Sequence, residues 1–127
     1  EIGYNYRIPN LNAALGVAQL EMLPRLIENK RYLAEQYQQW CQQKGVLMIK
    51  EAKGAFSNVW LNALVLNDKT QRDAFLEKTN NHGIMTRPLW EPMHHLRIFE
   101  DCHRGDLSNS EWAAERVVNI PSSGQIK

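Results

Sequence analysis

The run Leu11-Asn12-Ala13-Ala14-Leu15-Gly16-Val17-Ala18-Gln19-Leu20 has helical spacing but almost no wet side. Leu11, Ala14, Leu15, Ala18 and Met22 fall on one helical face, while Ala13, Gly16, Val17 and Leu20 make much of the opposite side apolar. A helix that is apolar all round is buried on both sides in a folded protein. The small side chains of Ala13, Ala14, Gly16 and Ala18 let another backbone come close. Ahead of this helix stands a loop of different character, Gly3-Tyr4-Asn5-Tyr6-Arg7-Ile8-Pro9, which is aromatic and polar. Pro9 suits a first helical turn, with Asn10 as an alternative cap. A polar aromatic loop feeding a closely packed helix implies a site at an interface. The expectation is an active site that this chain holds only in part.

A chain of 127 residues can hold one domain with a modest core. Its net charge of +1 implies neither a nucleic-acid partner nor a membrane surface. No apolar run approaches the roughly 20 residues of a membrane span. Cys41 and Cys102 lie far apart, which fits a reduced cytoplasmic setting without a disulfide framework. The patterned segment starts at Glu1 without a methionine, so the expectation is the C-terminal part of a longer polypeptide.

Pro24 is expected to break or bend the first helix. A second helix then runs to Lys44, with a dry stripe of Leu26, Leu33, Tyr37 and Trp40 widened by Ala34 and Cys41. Its wet face carries Glu28, Lys30, Arg31 and Glu35, and Gly45 stops it. Val46 to Ile49 reads as a short strand. Val59 to Leu66 is the clearest strand and belongs centrally in a sheet, with Asn62 as its one polar residue. Asp68 and Gln71 form a capping box for a helix over 69–81 that buries Ala74 and Phe75. Ile84 to Arg87 reads as a third strand, stopped by Pro88. Leu89 to Leu107 has no clean period. Ser108 and Glu111 read as a second capping box, opening a helix through Val117, and 119–124 as an extended exit. The order predicts an α+β fold: a small, mainly antiparallel sheet with helices on one face.

No self-contained catalytic site is visible. There is no Gly-rich phosphate loop or nucleophile elbow, and no lysine lies in a stretch apolar enough to lower its pKa. Adjacent His94-His95 should point apart, as should Cys102-His103. Zinc ligands are usually spaced so that a turn converges them, so no metal site is expected. One histidine here is either a loop residue or a contact to a substrate phosphate or hydroxyl. Arg87, before Pro88 and Trp90, is either an edge arginine stacked on tryptophan or an anion binder. Tyr4, Tyr6 and Arg7 either cap a helix entry or line a site. Asn5, between the two tyrosines, offers an amide that can donate to a phosphate.

Gly3-Tyr4-Asn5-Tyr6-Arg7, the continuation Pro9-Asn10-Leu11-Asn12-Ala13-Ala14-Leu15-Gly16, and Gln19-Leu20 resemble the DegT/DnrJ/StrS family of pyridoxal-phosphate (PLP) sugar aminotransferases. In that family a G-x-N-x-R loop precedes an A-A-x-G-x-x-Q-L helix. Further on, Gly83 to Trp90 with Pro92-Met93-His94 is similar to a late strand and "P-L-H" segment. Asn119-Ile120-Pro121-Ser122-Ser123 is similar to the closing "N-L-P-S". The Arg-Pro-x-Trp wording resembles the perosamine-synthase and LegC-like branch. The likeness covers essentially the whole chain in the family's order.

The resemblance implies the C-terminal part of a fold type I aminotransferase. Residues 1–23 would be an active-site loop and linking helix from the large domain, and residues 24–127 the small α+β domain. The implied activity moves an amino group from an amino acid, such as glutamate, to a 4-keto nucleotide sugar for surface-polysaccharide or amino-sugar synthesis. The Schiff-base lysine would lie upstream, so these residues alone would be inactive and would hold no catalytic residue. Carried over by motif, Asn5 reaches the PLP phosphate of a partner subunit in a homodimer. Tyr4, Tyr6 and Arg7 stand beside it, and His94 and Arg87 lie toward the sugar nucleotide. Met93-His94-His95 departs from the commoner Leu-His-Leu, so which histidine faces the site stays open. Two alternatives are a PLP sugar dehydratase of the same fold and a free-standing α+β interaction module. The dehydratase has a histidine in place of the upstream lysine. The apolar 11–20 helix, which a lone domain would expose, speaks against the interaction module.

Overall fold

The structure, a computed structural model, describes residues 7–123. It begins with a single helix, α1, from Asn10 to Lys44. Pro9 is its N-cap, and the first bond runs from the Ala13 N–H to the Pro9 carbonyl at 3.0 Å. The expected break at Pro24 does not occur: the helix runs through it. Pro24 removes one intrahelical donor, but good helix formers such as Ala18, Leu20, Glu21, Met22 and Arg25 flank it.

Gly45 ends α1 as read from sequence, at φ 67° and ψ 24°. Its N–H donates to Gln42 O at 3.4 Å, and the Val46 N–H donates to Cys41 O at 2.9 Å. These two bonds make a Schellman cap, which needs a residue tolerant of the left-handed region.

Four strands follow: β1 (Leu47–Met48), β2 (Asn62–Val65), β3 (Arg87–Pro88) and β4 (Val117–Ile120). Helix α2 (Lys69–Asn81) lies between β2 and β3, and α3 (Ser108–Arg116) directly precedes β4. The sheet order is β1-β2-β4-β3, with every neighbouring pair antiparallel. This is the α+β fold expected, with β2 interior. Three details differ.

First, β2 starts at Asn62 rather than Val59. Side chains hold the preceding residues in turns: Ser57 Oγ accepts from the Val59 N–H at 3.0 Å, and Asn58 Oδ1 accepts from the Trp60 N–H at 3.1 Å. Val59 itself has φ 47°, a costly conformation for a β-branched residue. Second, the third strand is shorter and contains Pro88 instead of stopping before it. It is an edge strand, where a missing N–H is tolerated. Third, Val117 to Ile120 is not a helix end and an exit but the interior strand β4, in which Val117 and Val118 are almost fully buried. Leu66 N–H donates to Arg116 O at 2.9 Å, so pairing with β2 begins where α3 ends.

The core is small. Cys41, Met48, Leu64 and Ile120 form its centre, with Tyr37, Val46 and Phe75 packed against it. Both α1 and α2 therefore pack on the same face of the sheet. On α1 the buried ridge is Ala34, Tyr37 and Cys41, and Trp40 from the expected stripe is exposed. Ala74 of α2 is exposed too. Lys30 and Arg31, expected in solvent, are tethers. Lys30 Nζ donates to Ser122 O at 2.8 Å, and Arg31 donates to Ser57 O at 2.7 Å and to Glu51 at 3.0 Å. By contrast, Leu11 is 81% and Leu20 66% exposed. The apolar N-terminal part of α1 finds no cover among the described residues.

Asp68 caps α2 as expected, its Oδ1 accepting from the Gln71 N–H at 2.8 Å, while Gln71 Oε1 accepts from the Asn67 N–H at 2.8 Å. The second capping box is not formed. Ser108 is already helical, and Asp106 accepts from its N–H at 3.0 Å and its hydroxyl at 3.1 Å. Those bonds hold the Asp106 carboxyl below its ordinary pKa. Glu111 is thereby free to reach elsewhere.

Candidate functional site

Of the residues singled out from sequence, Tyr4, Asn5 and Tyr6 lie outside the described residues. Arg7 stands exposed, two residues ahead of the Pro9 cap of α1.

Arg87 sits on the edge strand β3, opposite Asn119 of β4. It is exposed, and its Nη2 lies 3.5 Å from Met85 Sδ. Trp90 takes Trp60 as its ring partner, with centroids 6.2 Å apart and planes tilted by 32°.

His94 belongs to a 3-10 turn, Met93–His95, entered through Pro92. The His95 N–H donates to Pro92 O at 2.9 Å, closing the turn. The His94 side chain is 12% exposed, and its Nε2 lies 3.0 Å from Glu111 Oε1 on the first turn of α3. His95 Nδ1 is hydrogen-bonded to Glu91.

The two imidazoles do not point apart as adjacent side chains in an extended segment would. Their centroids are 4.3 Å apart in an edge-to-face arrangement. In a 3-10 turn successive side chains leave the backbone about 120° apart rather than on opposite sides, which leaves room for the two rings to meet edge to face. One ligating atom each of His94, His95 and Glu111 lies within 4.8 Å of the others. Glu111 was missed because its place beside Ser108 suggested a cap. The signal was Asp106, two residues before Ser108, which is the better acceptor for the helix start.

Beside His94 is a cleft of about 400 Å³ lined by Pro92, His94, Phe99, Cys102, His103 and Leu107. A larger groove of about 850 Å³ follows the middle of α1, along Leu23, Ile27, Tyr32 and Phe56. It shares no residue with the His94 cleft and offers mainly apolar contact. Arg31 stacks over Phe56 there at 4.3 Å from the ring centroid.

The wall of the His94 cleft is mainly apolar, with His94, His103, Arg104 and Ser110 as its polar side chains. The sequence model of the DegT/DnrJ/EryC1/StrS aminotransferase family matches residues 1–127, and the chain belongs to that family. It is 36% identical over 126 residues to a GDP-perosamine synthase of Vibrio cholerae, a match covering 95% of this chain and 34% of the relative. It is 30% identical to EpsN of Bacillus subtilis, whose name describes a pyridoxal phosphate-dependent aminotransferase, over 99% of this chain and 34% of the relative. The fold matches Helicobacter pylori PseC, an aminotransferase involved in the biosynthesis of pseudoaminic acid. There the TM-score is 0.87 at 18% identity, covering all of this chain and 35% of the other. The chain thus spans about a third of the length of the curated relatives it matches. Among the described residues, no helix is long and apolar enough to cross a membrane.

Proposed function

We propose that this chain is the C-terminal part of a PLP-dependent enzyme that moves an amino group from an amino acid, glutamate by preference, to a 4-keto nucleotide sugar. The observation that carries this reading is family membership across residues 1–127, joined to the similarity with a perosamine synthase. The product would feed surface-polysaccharide or amino-sugar synthesis in the cytoplasm. PLP, when bound, would supply the amine-carrier chemistry of the transfer.

In this reading residues 1–23 are the loop and linking helix of the large domain, and residues 24–127 the small domain. The large domain holds most of the PLP and its lysine, so residues 1–127 alone are inactive. Asn5 donates its amide to the cofactor phosphate of the partner subunit in a homodimer. Tyr4 and Tyr6 wall that position off from water, and Arg7 adds positive charge beside it. Arg87 and His94 face the sugar nucleotide. His94 Nε2 is engaged by Glu111, which leaves Nδ1 to meet a hydroxyl or phosphate oxygen. The donor chemistry fits: an anionic cofactor and a diphosphate substrate are matched by amides, guanidinium groups and imidazole.

The test is Asn5→Ala in the whole protein, with PLP affinity read by spectral titration. A hydrogen bond to a charged group contributes about 1.5–3 kcal/mol, so affinity should fall roughly ten- to a hundredfold. Unchanged PLP affinity and unchanged activity would remove the phosphate role.

A further inference from the structure

We infer that His94, His95 and Glu111 form a binding site for a divalent transition-metal ion of the zinc class. This goes beyond the aminotransferase reading and does not depend on it. Three observations carry it.

The first is convergence. One ligating atom from each residue lies within 4.8 Å of the other two, and His94 Nε2 is 3.0 Å from Glu111 Oε1. Ligands around a tetrahedral ion bound at about 2.0–2.1 Å stand about 3.3 Å apart, so small side-chain shifts would close the set. The 3-10 turn supplies both imidazoles from adjacent residues and α3 supplies the carboxylate from its first turn, so the donors sit on ordered backbone.

The second is chemistry. Two imidazoles and one carboxylate suit zinc and its neighbours rather than magnesium or calcium, which take oxygen ligands. Three protein ligands leave a fourth position for water. His95 carries a supporting bond from Nδ1 to Glu91, the carboxylate-to-histidine contact that orients metal-binding imidazoles. His95 and Glu111 side chains are 45% and 52% exposed, which gives an ion its way in.

The third is location. From Arg87 to Arg116 no residue is buried. This irregular stretch and α3 have no apolar core of their own. An ion held between the 93–95 turn and α3 would clip the two together, stabilising by mass action whatever conformation binds it.

The experiment uses the untagged, PLP-loaded whole protein, freed of metal by chelation and titrated with Zn²⁺ in a calorimeter. The expected result is about one Zn²⁺ per chain at micromolar or tighter affinity, with a raised melting temperature. His95→Ala and Glu111→Gln should each weaken binding at least about tenfold. Glu111→Gln keeps an acceptor for His94, so it tests the charge without undoing the fold. Cys102→Ser should bind Zn²⁺ as the unsubstituted protein does. Absence of saturable binding, binding by His95→Ala and Glu111→Gln as tight as that of the unsubstituted protein, or loss of binding in Cys102→Ser would each overturn the site.

Discussion

Ser122 Oγ accepts a hydrogen bond from the Asn62 N–H at 2.7 Å, lies 3.2 Å from Asn62 Nδ2, and donates to Ile120 O at 2.8 Å. One hydroxyl therefore finishes the β2–β4 pairing at the point where the strands part. Asn62 is 2% exposed and Ser122 9%, so water cannot replace it freely. Ser122→Ala should cost about 1–3 kcal/mol, the penalty for leaving a buried N–H unpaired. A lower urea midpoint, with strand amides near Asn62 exchanging faster, is the expected readout.

Asp68→Ala removes the side-chain acceptor at the start of α2. The expected loss is about 1 kcal/mol, and Asp68→Asn should be close to neutral because asparagine caps as well. Urea unfolding of the two variants side by side checks this.

The Glu51 carboxyl is held below its ordinary range, first by the Arg31 side chain and then by the Ser57 N–H. A depressed folded pKa means that the folded state releases this proton more readily than the unfolded state. Its stabilisation is present above the unfolded carboxylate pKa of about 4.5 and is lost as pH falls through the lower folded value. Melting temperature should therefore drop on the acid side, and Glu51→Gln should flatten that part of the profile. Glu51 is exposed and Arg31 half-buried, so added salt should shrink the effect in part.

Leu11 and Leu15 are 81% and 62% exposed on α1. Residues 1–127 expressed alone should self-associate through this apolar stretch. Leu11→Glu with Leu15→Glu should shift sedimentation toward monomer without loss of helicity. A monodisperse monomer from the unsubstituted chain, with α1 ordered, would contradict this.

The sequence made much of the fold legible, because α1 and α2 end on chemistry that acts locally. Gly45 and Asp68 stop and start their helices by themselves. It made β4 illegible because Val117 follows Arg116 with no turn residue between, so helix passes straight into strand. The Pro24 break failed because one lost bond is a small part of a 35-residue helix. Around the site, Arg87 at the strand edge was readable from Pro88. The meeting of His94, His95 and Glu111 was not, since it depends on a 3-10 turn lying against a helix that begins far along the chain. Tyr4, Asn5 and Tyr6 rest on motif likeness.

The central claim is amine transfer by the whole protein. The direct measurement supplies it with PLP, glutamate and a 4-keto nucleotide sugar, and follows the amino sugar and 2-oxoglutarate together. The two should appear in equal amounts and at a rate that depends on both substrates. Failure to form an amino sugar from any 4-keto nucleotide sugar, or release of a dehydrated sugar in its place, would contradict the account.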